Sequence, residues 1–338
     1  MILTRTPLRI SLIGGSTDIP DFYNQHPCIC TSFAINKYIY IMLNERFDGK
    51  YRLAYSQIEV VDKVEEIQHN LIRDTLKHYM NEKDKSVLSG LEITSIADIP
   101  GGTGLGSSSA YLVGLIKAIQ DRLGIESDSK TALANHAHKI ESISNPGIGK
   151  QDHFAAAYGG FQRYLFKRDF DAVERVQSKW DCANPWNEVE LEKNMLLLWT
   201  GISRSSNAIM TDRKKGFASG ETIPQGKELV ELAIHFIQYL ESGEVEKAAK
   251  YITAGWELKK SFAPGISNDQ IDGWINAALN NGAWGGKLCG AGGGGFLFFF
   301  APHNAHKRIV KATGLRQIDF KIEHEGSVSI ERQGWGDF

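Results

Sequence analysis

The sequence predicts an α+β protein built from two domains. Segments with the period of a strand and segments with the period of a helix follow one another without a regular βαβ alternation. The chain has 338 residues, of which 42% are hydrophobic and 23% charged, so it can bury more than one core. Residues 181–187 are a predicted connector. We therefore expect one domain over residues 1–180 and another over residues 188–338.

In the first half, β-branched, aromatic and leucine residues between turn signals predict the strands, and apolar residues on one face predict the helices. The helix that begins at Ser107 carries so many apolar residues that we expect it to be central. The next helix should end where Asn145, Pro146 and Gly147 force a turn. Predicted strands are residues 9–13, 37–44, 51–55 and 90–95, with a hairpin of 161–166 and 173–176; predicted helices are 66–80, 107–123 and 129–143.

The same patterns define the elements of the second half. Predicted strands are residues 195–200, 284–289, 296–300 and 317–322. Predicted helices are residues 205–213, 226–240, 244–260, 268–280 and 305–312.

Charge and cysteine content exclude several kinds of partner. The formal net charge is −2 and there is no block of like charges, which argues against nucleic acid or an acidic membrane surface as a partner. The longest apolar run, residues 296–301, is too short to span a bilayer. The four cysteines form no C-x-x-C pair, which favours a reduced, cytoplasmic setting. An anionic substrate must then be held by a few local groups.

A glycine-rich segment, residues 100–110, is predicted to bind phosphate. Its sequence PGGTGLGSSSA joins four glycines to three serines at the start of a helix. Glycine allows positive φ and a close approach of the backbone to a ligand, and the N–H groups of a helix N-terminus favour an anion. The candidate residues are Pro100, Gly101, Gly102, Gly104, Leu105, Gly106, Ser107, Ser108 and Ser109.

Other glycine loops fit this segment less well. A Walker-type loop requires lysine after its last glycine, but Ser107 directly follows Gly106. The dinucleotide-binding fingerprint follows a first strand and has a different glycine spacing. A flexible turn before a core helix stays open as the simpler alternative.

A second glycine run, residues 292–295, lies between two predicted strands. Four consecutive glycines would weaken a strand, so they predict a loop that bends sharply or lies against a ligand or another loop. A hairpin turn is the alternative, although it needs only one or two glycines. Gly292 and Gly293 are candidate substrate-contact residues, and Lys287 precedes them in the same segment.

Three segments resemble the signature motifs of the GHMP kinases, the family of galactokinase, homoserine kinase and mevalonate kinase. They are residues 9–18, 100–110 and 287–296, in the family's order and across nearly the whole chain. The resemblance implies an N-terminal domain like ribosomal protein S5 domain 2 and a ferredoxin-like C-terminal domain. It also implies an enzyme that binds ATP in the groove between them, with Mg²⁺.

Within the family, residues 17–23 and 149–161 resemble the D-glycero-D-manno-heptose 7-phosphate kinases. This implies phosphorylation of the anomeric hydroxyl to the 1,7-bisphosphate, for nucleotide-activated heptose and surface glycans. Cys28 stands where we expect glycine in that subfamily. A fucokinase- or galactokinase-type sugar 1-kinase and a non-catalytic sugar- or ATP-binding regulator stay open. The implied partner is a small phosphorylated sugar, bound by a monomer or homodimer.

The resemblance also implies roles for individual residues. Ser108 and Glu141 match the Mg²⁺ ligands, and Asp152 matches the aspartate that faces the acceptor hydroxyl, as general base or as an orienting charge. By themselves, Glu141 would be a solvated helix end and Asp152 a helix cap. Arg9 should face the transferred phosphoryl group or Asp152, because a permanently charged fork suits both.

The acceptor site is predicted with less support from motifs. Asp18, with Thr17 beside it, is expected to bind sugar hydroxyls, and a role in the turn is the alternative. Arg204 lies among serines, so it is a candidate to bind a distal phosphate, with helix capping as the alternative.

Overall fold

The computed structural model describes residues 1–82, 85–125, 129–176, 188–203 and 207–332. Within these residues, strands and helices alternate irregularly and form two separate sheets, which confirms the α+β prediction. The predicted connector at residues 181–187 lies outside the described part of the chain. None of the described helices combines the length and apolarity needed to cross a membrane.

The strands and helices follow the predicted order, with differences given below. The elements of the first half are β1 (Ile2–Ile13), α1 (Pro20–Tyr23), β2 (Cys28–Glu45), β3 (Tyr51–Ala54), β4 (Ile58–Val61), α2 (Asn70–Glu82), β5 (Leu91–Ala97), α3 (Ser107–Arg122), α4 (Lys130–Ser144), α5 (Gln151–Tyr158), β6 (Phe161–Lys167) and β7 (Phe170–Arg175). Those of the second half are α6 (Glu188–Lys193), β8 (Met195–Trp199), α7 (Asn207–Ala218), α8 (Ile223–Glu241), α9 (Val245–Lys260), α10 (Asp269–Asn280), β9 (Gly285–Leu288), β10 (Phe296–Phe300), α11 (His306–Thr313), β11 (Arg316–Gln317) and β12 (Val328–Arg332).

The larger sheet is organised around the long strands β1 and β2. Its strand order is β12-β1-β2-β5-β3-β4, and β6 pairs with both β2 and β7. Because β2 has 18 residues, its first part pairs with β6 and its last part pairs with β5. The predicted central helix α3 packs on β1 and β2 and is buried along most of its length. The apolar pattern of α3 therefore predicted its position correctly.

The smaller sheet has the order β11-β8-β10-β9, with antiparallel pairing throughout. All residues of β10 are buried, as its sequence FLFFF predicts. The two sheets share a core. Phe33 of β2 lies edge-to-face against Phe298 of β10, with ring centroids 5.8 Å apart.

The end of the chain differs from the prediction. The expected strand at 317–322 is reduced to β11 and an isolated bridge between Ile35 and Ile322. Strand β12 was not predicted, and it pairs with β1 in the larger sheet. The expected second domain, residues 188–338, is therefore wrong at this strand. The sequence VSIER alternates as a strand should, but its partner lies at the opposite end of the chain.

Smaller differences concern element boundaries. Strand β1 begins before the predicted residue 9, and α2 begins after the predicted residue 66, with a 3₁₀ turn at Val64–Glu66 in between. Helix α7 continues beyond the predicted residue 213 to Ala218. The short elements α1, β4 and α6 were not predicted, since four to six residues carry little periodicity.

The two glycine-rich segments, residues 100–110 and residues 287–296, lie directly against each other. A Cβ on Gly104 would be 2.5 Å from the carbonyl oxygen of Cys289, and a Cβ on Gly290 would be 2.4 Å from the Cα of Gly104. Gly104 also has a φ of +84°, a conformation that side chains rarely adopt. Because Gly104 and Gly290 have no side chains, the backbone of the second segment can lie directly against the N-terminal end of α3.

Replacing Gly104 tests this contact. Gly104→Ala adds left-handed strain and a backbone clash, whereas Gly124→Ala adds strain alone, because Gly124 has a φ of +65° and open space around its Cβ position. We expect the free energy of unfolding to fall by about 1 kcal/mol in Gly124→Ala and by at least about 2 kcal/mol in Gly104→Ala. Urea titration measures both. Equal losses would contradict the close packing of the two segments.

Candidate active site

Two neighbouring cavities lie where β1, the start of α3 and the second glycine segment meet. The first cavity has a volume of about 200 Å³ and the second about 60 Å³. Arg9 and Asp152 line both, so they lie at the junction. The first cavity is also lined by Gly102, Gly104, Gly106, Ser107, Ser108, Ser109, Glu141, Asn145 and Gly290. The second is also lined by Ser11, Gly15, Ser16, Asp18, Gln151, Arg213 and Lys259.

The start of α3 presents hydrogen-bond donors to the first cavity. Gly102, Gly104 and Gly106 have φ values of +75°, +84° and +75°. Gly106 occupies the N-cap position and no side chain caps the helix, so the first N–H groups keep their donor capacity. The Ser107 hydroxyl is buried and has no hydrogen-bond partner. Amides at a helix N-terminus and an unpaired hydroxyl suit a phosphate group.

Glu141 is a buried carboxylate that faces the same cavity. It is 2% exposed and accepts hydrogen bonds from Ser108, from Ser109 at 2.9 Å and from His153 at 2.6 Å. Burial acts to raise the pKa of Glu141, but the hydrogen bonds from His153 and the serines lower it below its ordinary value. The carboxylate therefore stays charged beside the N-terminus of α3.

This donor set fits a magnesium ion. Mg²⁺ prefers one or two protein oxygens together with phosphate oxygens and water, and Glu141 with Ser108 offers a carboxylate and a hydroxyl. The described residues contain no group of three or more His, Cys, Asp or Glu that could hold a metal ion. A metal at this site would thus need oxygens from the nucleotide.

Arg9 and Asp152 form a bidentate ion pair. Arg9 is 5% exposed, and its Nε and Nη2 donate to the two carboxylate oxygens of Asp152 at 2.8 and 2.6 Å. Its Nη1 donates to the carbonyl of Gly104 at 2.7 Å, and its backbone N–H to that of Leu105 at 3.1 Å. Burial acts to lower the pKa of Arg9, but Asp152 raises it above its ordinary value. Of the two partners expected for Arg9, the transferred phosphoryl group and Asp152, the structure shows Asp152.

Asp18 lies in the second cavity. It is 2% exposed and accepts backbone hydrogen bonds from Ser16 at 2.9 Å and from Gln151 at 3.1 Å. A Cβ on Gly149 would be only 2.1 Å from one of its oxygens, so this glycine makes room for the carboxylate. Each oxygen keeps a lone pair that can accept a further hydrogen bond, such as one from a sugar hydroxyl.

Of the two glycines predicted to contact substrate in the second glycine segment, one lines a cavity. Gly292 lines the first cavity and has a φ of +126°. Gly293 is not among the described residues that line either cavity, and its N–H donates to the carbonyl of Ile266 at 2.8 Å. Lys287 is buried nearby, and burial lowers its pKa to about 8.

Thr17 and Leu105 do not face either cavity. Thr17 is fully buried, and its hydroxyl donates to the carbonyl of Gly14 at 2.8 Å, so it stabilises the turn after β1. The Leu105 side chain is also fully buried and belongs to the core. The side chain of Thr17 was therefore wrongly predicted to contact substrate, because its own turn uses the hydroxyl.

The first residues of the phosphate-binding segment lie away from the two cavities. Gly101 is exposed, with open space around its Cβ position. Pro100 lines a third cavity of about 620 Å³ together with Asp98 and Trp199. Arg204 lies outside the described residues.

Several residues of the site were not predicted. Ser11 donates to Gln151 at 2.9 Å and so joins β1 to α5. His153 directly follows Asp152, and this adjacency was a signal that could have been used. Arg213 and Lys259 come from α7 and α9, whose distance from β1 in the sequence gives no signal of contact.

Two family models and a relative of known name match this chain. The GHMP kinases N terminal domain matches residues 70–160, and the GHMP kinases C terminal domain matches residues 236–313. The chain is 29% identical over 342 residues to D-glycero-alpha-D-manno-heptose 7-phosphate kinase of Campylobacter jejuni, a match that covers 96% of this chain and 97% of that protein.

Solved structures share the fold. A D-glycero-D-manno-heptose 1-phosphate kinase from Bacteroides thetaiotaomicron superposes with a TM-score of 0.76 at 22% identity, covering 99% of this chain and all of that one. Galactokinase of Lactococcus lactis, complexed with galactose, gives a TM-score of 0.74 at 18% identity, covering 97% of this chain and 95% of that one. The chain belongs to the GHMP kinase family, and with its heptose kinase relatives it is an ATP-dependent sugar kinase.

Proposed function

We propose that this sugar kinase transfers the γ-phosphoryl group of ATP to the anomeric hydroxyl of D-glycero-D-manno-heptose 7-phosphate, giving the 1,7-bisphosphate and ADP. The observation that carries the proposal is the Arg9–Asp152 pair at the junction of two cavities. One cavity is built for phosphate and the other carries Asp18. The similarity to the Campylobacter jejuni heptose 7-phosphate kinase supports this choice of acceptor.

In this proposal, ATP lies with its phosphates at the start of α3 and the sugar lies in the second cavity. The anomeric hydroxyl faces Asp152, which accepts its proton as the oxygen bonds to the γ-phosphorus and ADP leaves. Arg9 holds the carboxylate in place and adds positive charge near the transferred group. Ser108 and Glu141 would hold Mg²⁺, which would supply positive charge to neutralise the nucleotide phosphates.

The acceptor can be tested by measuring ADP release with phosphorylated and free sugars. We expect heptose 7-phosphate to give a kcat/KM at least about tenfold above that of free heptose, galactose or fucose. Each acceptor should be compared at saturating ATP, with product identified by NMR. A preference for a free sugar, or phosphorylation away from the anomeric carbon, would contradict the proposed acceptor.

Asp152→Asn should lower kcat by about 100-fold or more, because the amide cannot accept the proton. Binding of ATP should change little, since the substitution leaves the donors at the start of α3 in place. Discontinuous or coupled assays of ADP release measure kcat, and isothermal titration calorimetry measures the affinity for ATP. Asp169→Asn, at an exposed turn, is the control. A kcat near that of the native enzyme would remove Asp152 from the mechanism.

Ser108→Ala and Glu141→Gln should each raise the Mg²⁺ concentration that gives half-maximal activity. Each change removes or weakens one oxygen ligand of the proposed ion. Because both residues serve one ion, the double variant should lose less than the summed effects of the single variants. Activity measured against free Mg²⁺ at fixed ATP tests this. Strict additivity, or an unchanged Mg²⁺ dependence, would argue against a shared metal.

A further inference from the structure

Two buried basic side chains in the second cavity lack a carboxylate partner among the described residues. Arg213 of α7 is 8% exposed and Lys259 of α9 is 7% exposed. Arg213 donates to the carbonyl of Gly147 at 2.7 Å and to the Ser16 hydroxyl at 3.4 Å, while its Nε has no partner. Lys259 donates to the carbonyl of Gly290 at 2.5 Å. Neither forms an ion pair with any described acidic group.

Two other buried basic residues of this protein, Arg9 and Lys150, are each paired with a carboxylate. Arg9 binds both oxygens of Asp152, and Lys150 binds both oxygens of Asp171 at 2.9 Å. A buried cation without an anion is costly, because desolvation is not offset by attraction. The two unpaired cations therefore point to an anion that comes from outside the chain.

The carboxylates that face this cavity are already engaged. Asp152 is held by Arg9, and Asp18 accepts two backbone hydrogen bonds. Both are close enough to interact electrostatically with Arg213, yet burial still lowers the pKa of Arg213 below its ordinary value. Burial, together with the charges of Lys287 and Arg213, lowers the pKa of Lys259 well below its ordinary value. The positive charge of this region is thus only partly compensated.

The backbone at Ser16 is a second, independent observation. Of the described residues, Ser16 is the only non-glycine residue with a positive φ, at +100°. It is 2% exposed, and its hydroxyl lies next to Arg213 in the second cavity. Such strained backbone is concentrated at functional sites. The strained backbone holds a hydroxyl donor beside the unpaired guanidinium.

The position of these groups separates them from the nucleotide. Arg213 and Lys259 line the second cavity and are not among the residues that line the first. The nucleotide phosphates have their own donors at the start of α3. A single carboxylate would compensate one cation, whereas a phosphate monoester carries up to two charges and three acceptor oxygens.

We propose that Arg213 and Lys259, with the Ser16 hydroxyl, bind a phosphate monoester group of the acceptor and so select phosphorylated sugars over free sugars. This inference rests on the proposed function in one respect, since it takes the second cavity as the acceptor site. It places the distal phosphate on α7 and α9 of the second half of the chain. The selection is made by residues that take no part in phosphoryl transfer.

The test uses the full-length enzyme with Arg213→Gln, Lys259→Met and the double variant. Lys215→Met on α7 and Lys250→Met on α9 are matched controls, since their side chains are 73% and 65% exposed. Steady-state kinetics are measured with heptose 7-phosphate and with free heptose. Thermal melting is followed with and without heptose 7-phosphate, and with inorganic phosphate as a probe of the anion site alone.

We expect each site variant to raise KM for heptose 7-phosphate by roughly 10- to 100-fold, the loss of one or two charge-assisted hydrogen bonds. The KM for ATP, and kcat/KM for free heptose, should change little. Without ligand, Lys259→Met should melt at the native temperature or above, because an uncompensated buried charge is removed. Inorganic phosphate should raise the melting temperature of the native enzyme and of the controls by more than that of the double variant, which keeps only the donors at the start of α3.

Equal losses with both sugars, or unchanged KM for heptose 7-phosphate in the double variant, would overturn the phosphate subsite while leaving the kinase activity intact. A lower melting temperature of Lys259→Met with loss of activity on every acceptor would also overturn it, since that outcome marks a structural role. If heptose 7-phosphate is not phosphorylated but inorganic phosphate still stabilises the protein through Arg213 and Lys259, the subsite stands and the proposed acceptor fails.

Discussion

The ion pair between Arg9 and Asp152 connects the parts of the protein that form the active site. A buried arginine is costly unless its geometry is good and its donors are used. Here the guanidinium binds Asp152 at the start of α5 and the carbonyl of Gly104 in the glycine segment, while the backbone of Arg9 binds Leu105. One side chain of β1 therefore sets the distance between the glycine segment at the start of α3 and the carboxylate of Asp152. Loss of either partner would leave a buried charge without compensation.

Close backbone packing is the second constraint on the site. Gly104 and Gly290 lie in different halves of the chain, and a Cβ on either would collide with the other segment. Gly149 makes room for Asp18, and Gly15 for Gln151, whose amide would lie 2.3 Å from a Cβ at that position. These glycines let the side chains of Asp18 and Gln151 lie directly against the backbone. The second half of the chain thereby completes a site that begins on β1.

Charge is distributed locally in this protein. The chain as a whole has a formal net charge of only −2, so no long-range field attracts an anionic substrate. The charges at the site are instead buried and individually placed, which increases the effect of each one. Glu141 is kept ionised by His153 and two serines, whereas Arg213 and Lys259 have no carboxylate partner in the described part of the chain. The balance of buried charge therefore differs between the first and the second cavity.

The sequence alone determined the features that depend on near neighbours in the chain. Helix periodicity identified α3, and glycine with serine at its start predicted a phosphate site, because backbone freedom and helix capping are short-range properties. Only the tertiary structure decided that the Thr17 hydroxyl binds Gly14 instead of facing a cavity, and that β12 pairs with β1. It also decided that Arg213 meets Ser16, 197 residues earlier in the chain. Such contacts depend on how distant segments pack, and local patterns of hydrophobicity and charge carry no information about which distant segment will be the partner.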